Sequence, residues 1–245
     1  ERIETVTFVD NLDNVNSTAK DVSAQGDGSI LSWYDEKTSM GGYQQYDVYI
    51  GSDYEIFANS DSSYLFAWLG SNDRIDYTKK ETIVNIDLLN TVTATNMVRM
   101  FYKTGYTAMT TLDLGEKFDT SNVTDMSYMF AYTGYTAMTS LDLGKKFDTS
   151  NVTNMHLMFW QTGYKAMTSL NLGEKFDTSN VTNMESMFFG TGDTAMTSLD
   201  LGEKFDTSNV TDMRQMFANT GYKAMTSLDL GEKFDTSNVT NMQYM

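Results

Sequence analysis

The sequence predicts an α/β solenoid, a stack of 29-residue strand-turn-helix units on one parallel sheet, with a small β-rich cap at its N-terminal end. Three observations carry this. A methionine recurs at Met97, Met126, Met155, Met184, Met213 and Met242, always 29 residues on, inside a nearly verbatim motif. Each unit switches from an alternating apolar pattern to an i, i+3, i+4 pattern. The first 58 or so residues do not repeat and are rich in β-branched and aromatic residues. A fixed period of 20–50 residues signals a solenoid, propeller or array.

In the unit that begins at Met109, Leu112 and Leu114 share one face of a short strand, and Thr111 and Asp113 the other. Gly115 ends it, and Phe118 follows in a tight turn. Asp119-Thr120-Ser121-Asn122 has N-cap chemistry. Met126, Met129 and Phe130 then fall on one helical face, and Gly134 suits a helix C-terminus. So short a unit cannot stand alone, and strands about 4.8 Å apart would tie it to its neighbours. The expected core of one unit is Leu141, Leu143, Phe147, Val152, Met155, Met158 and Phe159.

The cap is placed at residues 1–61 and the solenoid at 62–245. Strand signals lie at Thr5–Val9, Ile30–Tyr34 and Tyr46–Ile50, with turns at Gly26–Gly28, Gly41-Gly42 and Gly51–Asp53. The first unit, 62–96, is irregular. Its Ser63–Gly70 matches Ser127–Gly134 position for position, Ile86-Asp87-Leu88 stands where later units have Leu-Asp-Leu, and Phe66 lies 35 residues before Phe101. Regular units run from 97 and are truncated at 245. Six strands and about seven short helices are expected.

With 245 residues, 40% of them hydrophobic, the chain can build a core. A net charge of −16 disfavours nucleic acid and anionic membrane as partners. With no cysteine there can be neither disulfides nor thiolate metal sites. No run of 18 apolar residues exists, so direct membrane insertion is not expected. The start at Glu1 and the stop at Tyr244-Met245, where earlier units continue into Phe, suggest a piece of a longer protein. An uncovered last strand around Leu228 and Leu230 would then favour head-to-tail self-association through an open C-terminal edge.

Met-x-x-Leu-x-Leu followed by Phe-Asp-Thr-Ser-Asn-Val-Thr-Asp-Met-x-x-Met-Phe resembles the BspA-type leucine-rich repeat of bacterial surface proteins. The string Thr-Ser-Asn-Val-Thr-x-Met occurs five times, and the likeness covers about residues 62–245. The resemblance implies a leucine-rich-repeat-like array, display outside the cell in association with the wall, and roles in adhesion or host interaction. One departure is that Lys117 and its equivalents stand where the general leucine-rich consensus has Asn or Cys, so the asparagine ladder of that consensus is not expected.

Four sets of residues are candidates for function. Asp87, Asp113, Asp142, Asn171, Asp200 and Asp229 would form a carboxylate row beside a second one, Asp119, Asp148, Asp177, Asp206 and Asp235. Like charges this close need compensation. A calcium ion or a basic ligand could supply it, or the row Lys117, Lys146, Lys175, Lys204 and Lys233 could neutralise solvated carboxylates, which is the preferred reading. Thr111, Ser140, Ser169, Ser198 and Ser227 read as a plain hydroxyl ladder. Asn122, Asn151, Asn180, Asn209 and Asn238 read as helix caps, although each Asn-Val-Thr spells a glycosylation acceptor.

The fourth set is aromatic and variable: Tyr128, Tyr132, His156, Trp160, Phe189 and Arg214, with the loop row Tyr106, Tyr135, Tyr164 and Tyr222, broken at Asp193. Such residue types are typical of interface hot spots, while positions that vary this freely between units also read as unconstrained surface, which is the preferred reading of each position taken alone. The one histidine has no evident nucleophile beside it, and no Gly-rich phosphate loop or metal-binding histidine pair is present. The sequence therefore reads as a non-enzymatic recognition module with no cofactor or metal, binding host or neighbouring-cell protein or glycan. The alternative is a structural spacer or filament element.

Overall fold

The computed structural model describes residues 2–37, 42–71 and 82–245. Gly41 of the expected Gly41-Gly42 turn, and 72–81 of the irregular first unit, lie outside the described residues. The N-terminal region builds β1 (Arg2–Val9), β2 (Lys20–Asp21), β3 (Leu31–Glu36) and β4 (Gln45–Gly51). They form a mixed sheet ordered β2-β3-β4-β1-β6, whose last member, β6 (Ile83–Val84), comes from beyond the first 61 residues. β1 runs parallel to both β4 and β6. Being central, it buries Val6 and Phe8 on one face and Thr5 on the other. The Thr5 hydroxyl donates to Asp47 at 2.7 Å, and Lys37 pairs with the same carboxylate at 2.6 Å, so the polar groups under the sheet are satisfied.

The cap grades into the repeats. β5 (Ile56–Phe57) pairs in parallel with β7 (Leu89–Asn90), and Phe8 meets Phe66 edge-on at 6.1 Å. The strand expected over Ile86-Asp87-Leu88 is a short 3-10 helix instead. Asn85 takes a left-handed conformation (φ 56), and the Leu88 N–H closes back on the Asn85 carbonyl. Asp87 is thereby displaced from the carboxylate row.

In the regular units the strands are three residues long: β8 (Thr111–Asp113), β9 (Ser140–Asp142), β10 (Ser169–Asn171) and β11 (Ser198–Asp200). Their register is the one the sequence demands, Leu112 against Leu141 and Leu170 against Leu199, with leucines inward and hydroxyls and carboxylates outward. They form two separate two-stranded sheets, not one parallel sheet, and no strand forms around Leu228 and Leu230.

The larger correction concerns the helices. Among the described residues there is no α-helix, so the fold is not an α/β solenoid of strand-turn-helix units. The segment from Met126 to Gly134 is a chain of tight turns, and its hydrogen bonds show why. The N–H groups of Met126, Tyr128, Phe130 and Tyr132 donate across to Asn154, His156, Met158 and Trp160 carbonyls of the next unit. The alternate N–H groups of Met129, Ala131 and Thr133 close back three residues onto Met126, Tyr128 and Phe130. Every second donor is thus spent between units, where a helix would spend all of them within itself.

Left-handed residues make this path possible, Tyr128 (φ 59) and Tyr132 (φ 61) in this unit and Leu157 and Gln161 in the next. For a residue with a Cβ that conformation costs roughly 1–2 kcal/mol, so the stack must over-determine it. The i, i+3 spacing of the methionines fits both structures, because a tight turn also brings residues i and i+3 together.

Side chains interlock the units as well. Asn122, Asn151, Asn180, Asn209 and Asn238 cap no helix. Each amide donates to a carbonyl of the preceding unit, those of Val92, Ser121, Ser150, Ser179 and Ser208. An asparagine ladder therefore exists, at a position other than the one where Lys117 stands. Buried Thr120, Thr149, Thr178 and Thr207 donate to Asp148, Asp177, Asp206 and Asp235 carbonyls at 2.8 Å and accept the N–H of the same residues. Thr104, Thr133, Thr162 and Thr191 donate in the same manner to phenylalanine carbonyls. Because backbone groups inside such a narrow coil have no water to turn to, these ladders replace it. All seven core residues expected for the unit at Leu141 are buried. Phe66, Phe101, Phe130, Phe159, Phe188 and Phe217 stack in sequence at 5.3–5.5 Å, and neighbouring rings are close to parallel from Phe101 onward.

Candidate functional site

The carboxylate row is built into the backbone. Asp113, Asp142, Asp200 and Asp229 are exposed, and each accepts the N–H of the glycine two residues on, at 2.8–3.0 Å. Asn171 makes the same bond to Gly173 at 2.8 Å with no charge. The position thus requires an acceptor that closes a turn, and charge is incidental to it. In the second row, Asp119, Asp148, Asp177, Asp206 and Asp235 accept the N–H of the serine two residues on. The Ser208 hydroxyl and N–H hold Asp206 below the usual carboxylate range. Burial pushes Asp148 up, but Ser150, Lys175 and Lys204 together outweigh it and leave Asp148 below that range too. Among the described residues no group of three or more His, Asp or Glu side chains is placed to hold a metal.

The aromatic set comes together. Tyr106, Tyr135 and Tyr164 stack face to face at 4.7 and 4.8 Å. Beside them run Tyr132, Trp160 and Phe189, with Tyr132 and Trp160 at 4.8 Å and Trp160 and Phe189 at 6.4 Å. Tyr132 joins the two rows, lying 6.0 Å from Tyr135 and 6.3 Å from Tyr106. These rings are all half-buried. Burial pushes the phenols of Tyr132, Tyr135 and Tyr164 above their ordinary value. The tyrosine row ends where Tyr164 meets buried Asp193, itself 3.8 Å from Lys223. Tyr222 is mostly exposed, and no ring contact joins it to the stack among the described residues.

His156 and Arg214 belong to a different grouping. Tyr128 meets His156 edge-on at 5.2 Å, and His156 lies 3.4 Å from Glu185, which also pairs with Arg214. The three side chains occupy one position in three successive units and link them, Glu185 and Arg214 as an ion pair and His156 beside Glu185. Burial lowers the His156 pKa below its ordinary 6.5. Glu185 opposes this, as do the more distant Asp212 and Asp125, while Arg214 adds to it. Since the unfolded chain then binds the proton more tightly than the folded one, stability is full above pH 6.5 and is lost as pH falls below it. We expect the urea midpoint to drop between pH 7.5 and 5.5, and to drop less for His156→Gln. Equal drops would place the titration elsewhere.

Five residues that extend the strip were missed in the sequence: Tyr64, Trp68, Arg99, Tyr102 and Lys103. Trp68 meets Tyr102 at 5.3 Å, and Tyr102 meets Tyr132 at 6.0 Å, so the strip continues to the cap. Arg99 lies over the Tyr128 ring at 4.3 Å and also donates to the Tyr64 hydroxyl. Lys103 lies over Tyr132 at 5.3 Å. The signal was present, because Tyr64 and Arg99 occupy the place of Tyr128, and Trp68 and Lys103 that of Tyr132.

Fold and strip together define a repeat protein of stacked turns, with one aromatic and cationic surface running from unit to unit. A family model described as "Mycoplasma protein of unknown function, DUF285" matches residues 74–191 and 162–245. These spans cover more than half of the chain, and the chain belongs to that family. No curated protein and no solved structure matches it.

Proposed function

We propose that the chain is a non-enzymatic recognition module of a bacterial surface protein related to the BspA-type repeats, displayed outside the cell and binding host or neighbouring-cell protein or glycan. The continuous aromatic strip is what carries the reading. It sets Tyr, Trp and Arg side chains side by side on rigid turns, and these are the residues that dominate recognition energetics. Half-exposed rings already fixed by their neighbours lose little entropy on binding. The interlocked core and ladders hold this surface without contributing to it, which suits a scaffold.

The test is a binding screen of the chain against matrix proteins, glycans and intact cells, repeated with the Tyr132→Ala and Trp160→Ala variants. Loss of about tenfold or more in affinity is expected for these hot-spot positions, with unchanged binding for Lys145→Ala, which sits on an exposed pair with Glu116. Binding that ignores the aromatic variants would sink the reading and favour a spacer.

A further inference from the structure

Resting on the recognition reading, we propose that the cap-proximal end of the strip binds an acidic polysaccharide through its carboxylates, with Arg99 and Lys103 as the anion-binding groups and Trp68, Tyr102 and Tyr132 as the platform. Several cations of this acidic chain, Lys20, Lys146, Lys175, Lys204 and Lys233 among them, form no ion pair among the described residues, and aromatic surroundings are what set two such cations apart. Arg99 and Lys103 are these two: among the described residues neither forms an ion pair. Both are instead surrounded by rings, Arg99 by Tyr64, Tyr102 and Tyr128, and Lys103 by Tyr102, Tyr106 and Tyr132, all within 6 Å. A guanidinium held over a ring keeps free edges that suit a carboxylate fork.

The surroundings extend the site. Trp68 and Tyr64 are the most exposed rings of the strip, at 52% and 42%, and lie nearly parallel to each other. A cleft of about 720 Å³ opens beside Trp68 and brings Arg2 to the same end. A sugar ring that bears a carboxylate offers an apolar face and an anion within one residue, and the strip offers a ring and a cation within the same reach. At physiological ionic strength the distant carboxylates of the chain are screened beyond about 8 Å, so these local groups decide the contact.

An acidic peptide is the competing ligand, and the backbone disfavours it. Extended peptides are commonly captured by pairing with free main-chain groups. Here the N–H groups of Trp68, Arg99 and Lys103 are already given to the Tyr102, Ser127 and Ala131 carbonyls of the next unit. Among the described residues of the strip, what is left to bind is chiefly side chains, and they are aromatic faces, phenol hydroxyls and cations.

The sequence supplies its own test variants. Gln215 stands at the place of Arg99 and Gln161 at that of Lys103, both left-handed, so Arg99→Gln with Lys103→Gln keeps residues the fold already accepts there. Binding of the full chain to hyaluronan and polygalacturonate fragments is measured against neutral dextran and polyglutamate. The charge-matched control is Lys20→Gln with Lys145→Gln, both exposed. The expected result is binding to the acidic glycans, a loss of about tenfold or more in the strip variant only, and weaker binding of dextran and polyglutamate. No acidic-glycan binding, equal losses in both variants, or equal binding of polyglutamate would each overturn the inference. If the chain still binds cells or matrix proteins through Trp160 and Tyr132 in that event, the recognition reading survives. If it binds nothing, both fall.

Discussion

Phe159→Ala is expected to destabilise the chain by about 3–5 kcal/mol. The ring is fully buried, stacked between Phe130 and Phe188 at 5.5 Å on each side, and 6.3 Å from Phe176. Its removal opens a cavity and breaks two stacked pairs, each worth roughly 0.5–1.5 kcal/mol beyond burial. The hole cannot collapse readily, because the Thr162 and Asn151 ladders fix the spacing of the coils around it. Phe217→Ala is the comparison, for that ring is only half-buried and stacks on Phe188 at 5.5 Å. Its cost should be about half. Denaturant unfolding reads the difference. Amide exchange should show protection lost first in the units around residue 159, since in such arrays each unit is held by its neighbours. Equal costs for the two variants would mean that the phenylalanine stack is not a continuous support.

The repeat, its register and its core were legible because they rest on spacing alone. Leu112 and Leu141 face inward in register, and Met155, Met158 and Phe159 are buried, whatever the backbone does between them. The helices were misread because the spacing of Met126, Met129 and Phe130 is common to a helix and to a run of turns. The discriminating sign was the residue types at the two left-handed positions. These are Tyr64, Arg99, Tyr128, Leu157, Ser186, Gln215 and Tyr244 at one, and Trp68, Lys103, Tyr132, Gln161, Gly190 and Asn219 at the other, with no Val, Ile or Thr in either. A β-branched side chain is the one least compatible with positive φ. The same positions appear in the sequence as freely variable surface, which is how their backbone role stayed hidden. The aspartate rows were misleading for a related reason. Asp113 and Asn171 do one job, closing a turn, and only geometry shows that the charge of the former is incidental to it.

Gly163→Ala is expected to cost roughly 2–5 kcal/mol, against less than about 1 kcal/mol for Gly190→Asn, although both glycines have positive φ. At Gly163 (φ 53) a Cβ would lie 2.5 Å from the Met167 Cβ and 2.9 Å from its Cε. Neither can withdraw. The Met167 N–H donates to the Gly163 carbonyl at 3.0 Å, and its side chain is fully buried. Gly163 is itself fixed by donating to the Thr133 carbonyl. The cost of the left-handed backbone therefore adds to that of an overpacked contact. At Gly190 (φ 64) the nearest atom is the Gln161 Cγ at 3.0 Å, on a side chain free to turn aside, and the equivalent positions already hold Tyr132, Gln161 and Asn219. Thermal or urea unfolding of the two variants side by side decides the matter. If Gly163→Ala is as mild as Gly190→Asn, then the turn at Met167 has slack, and the close approach does not set the path of the chain between strand and turns.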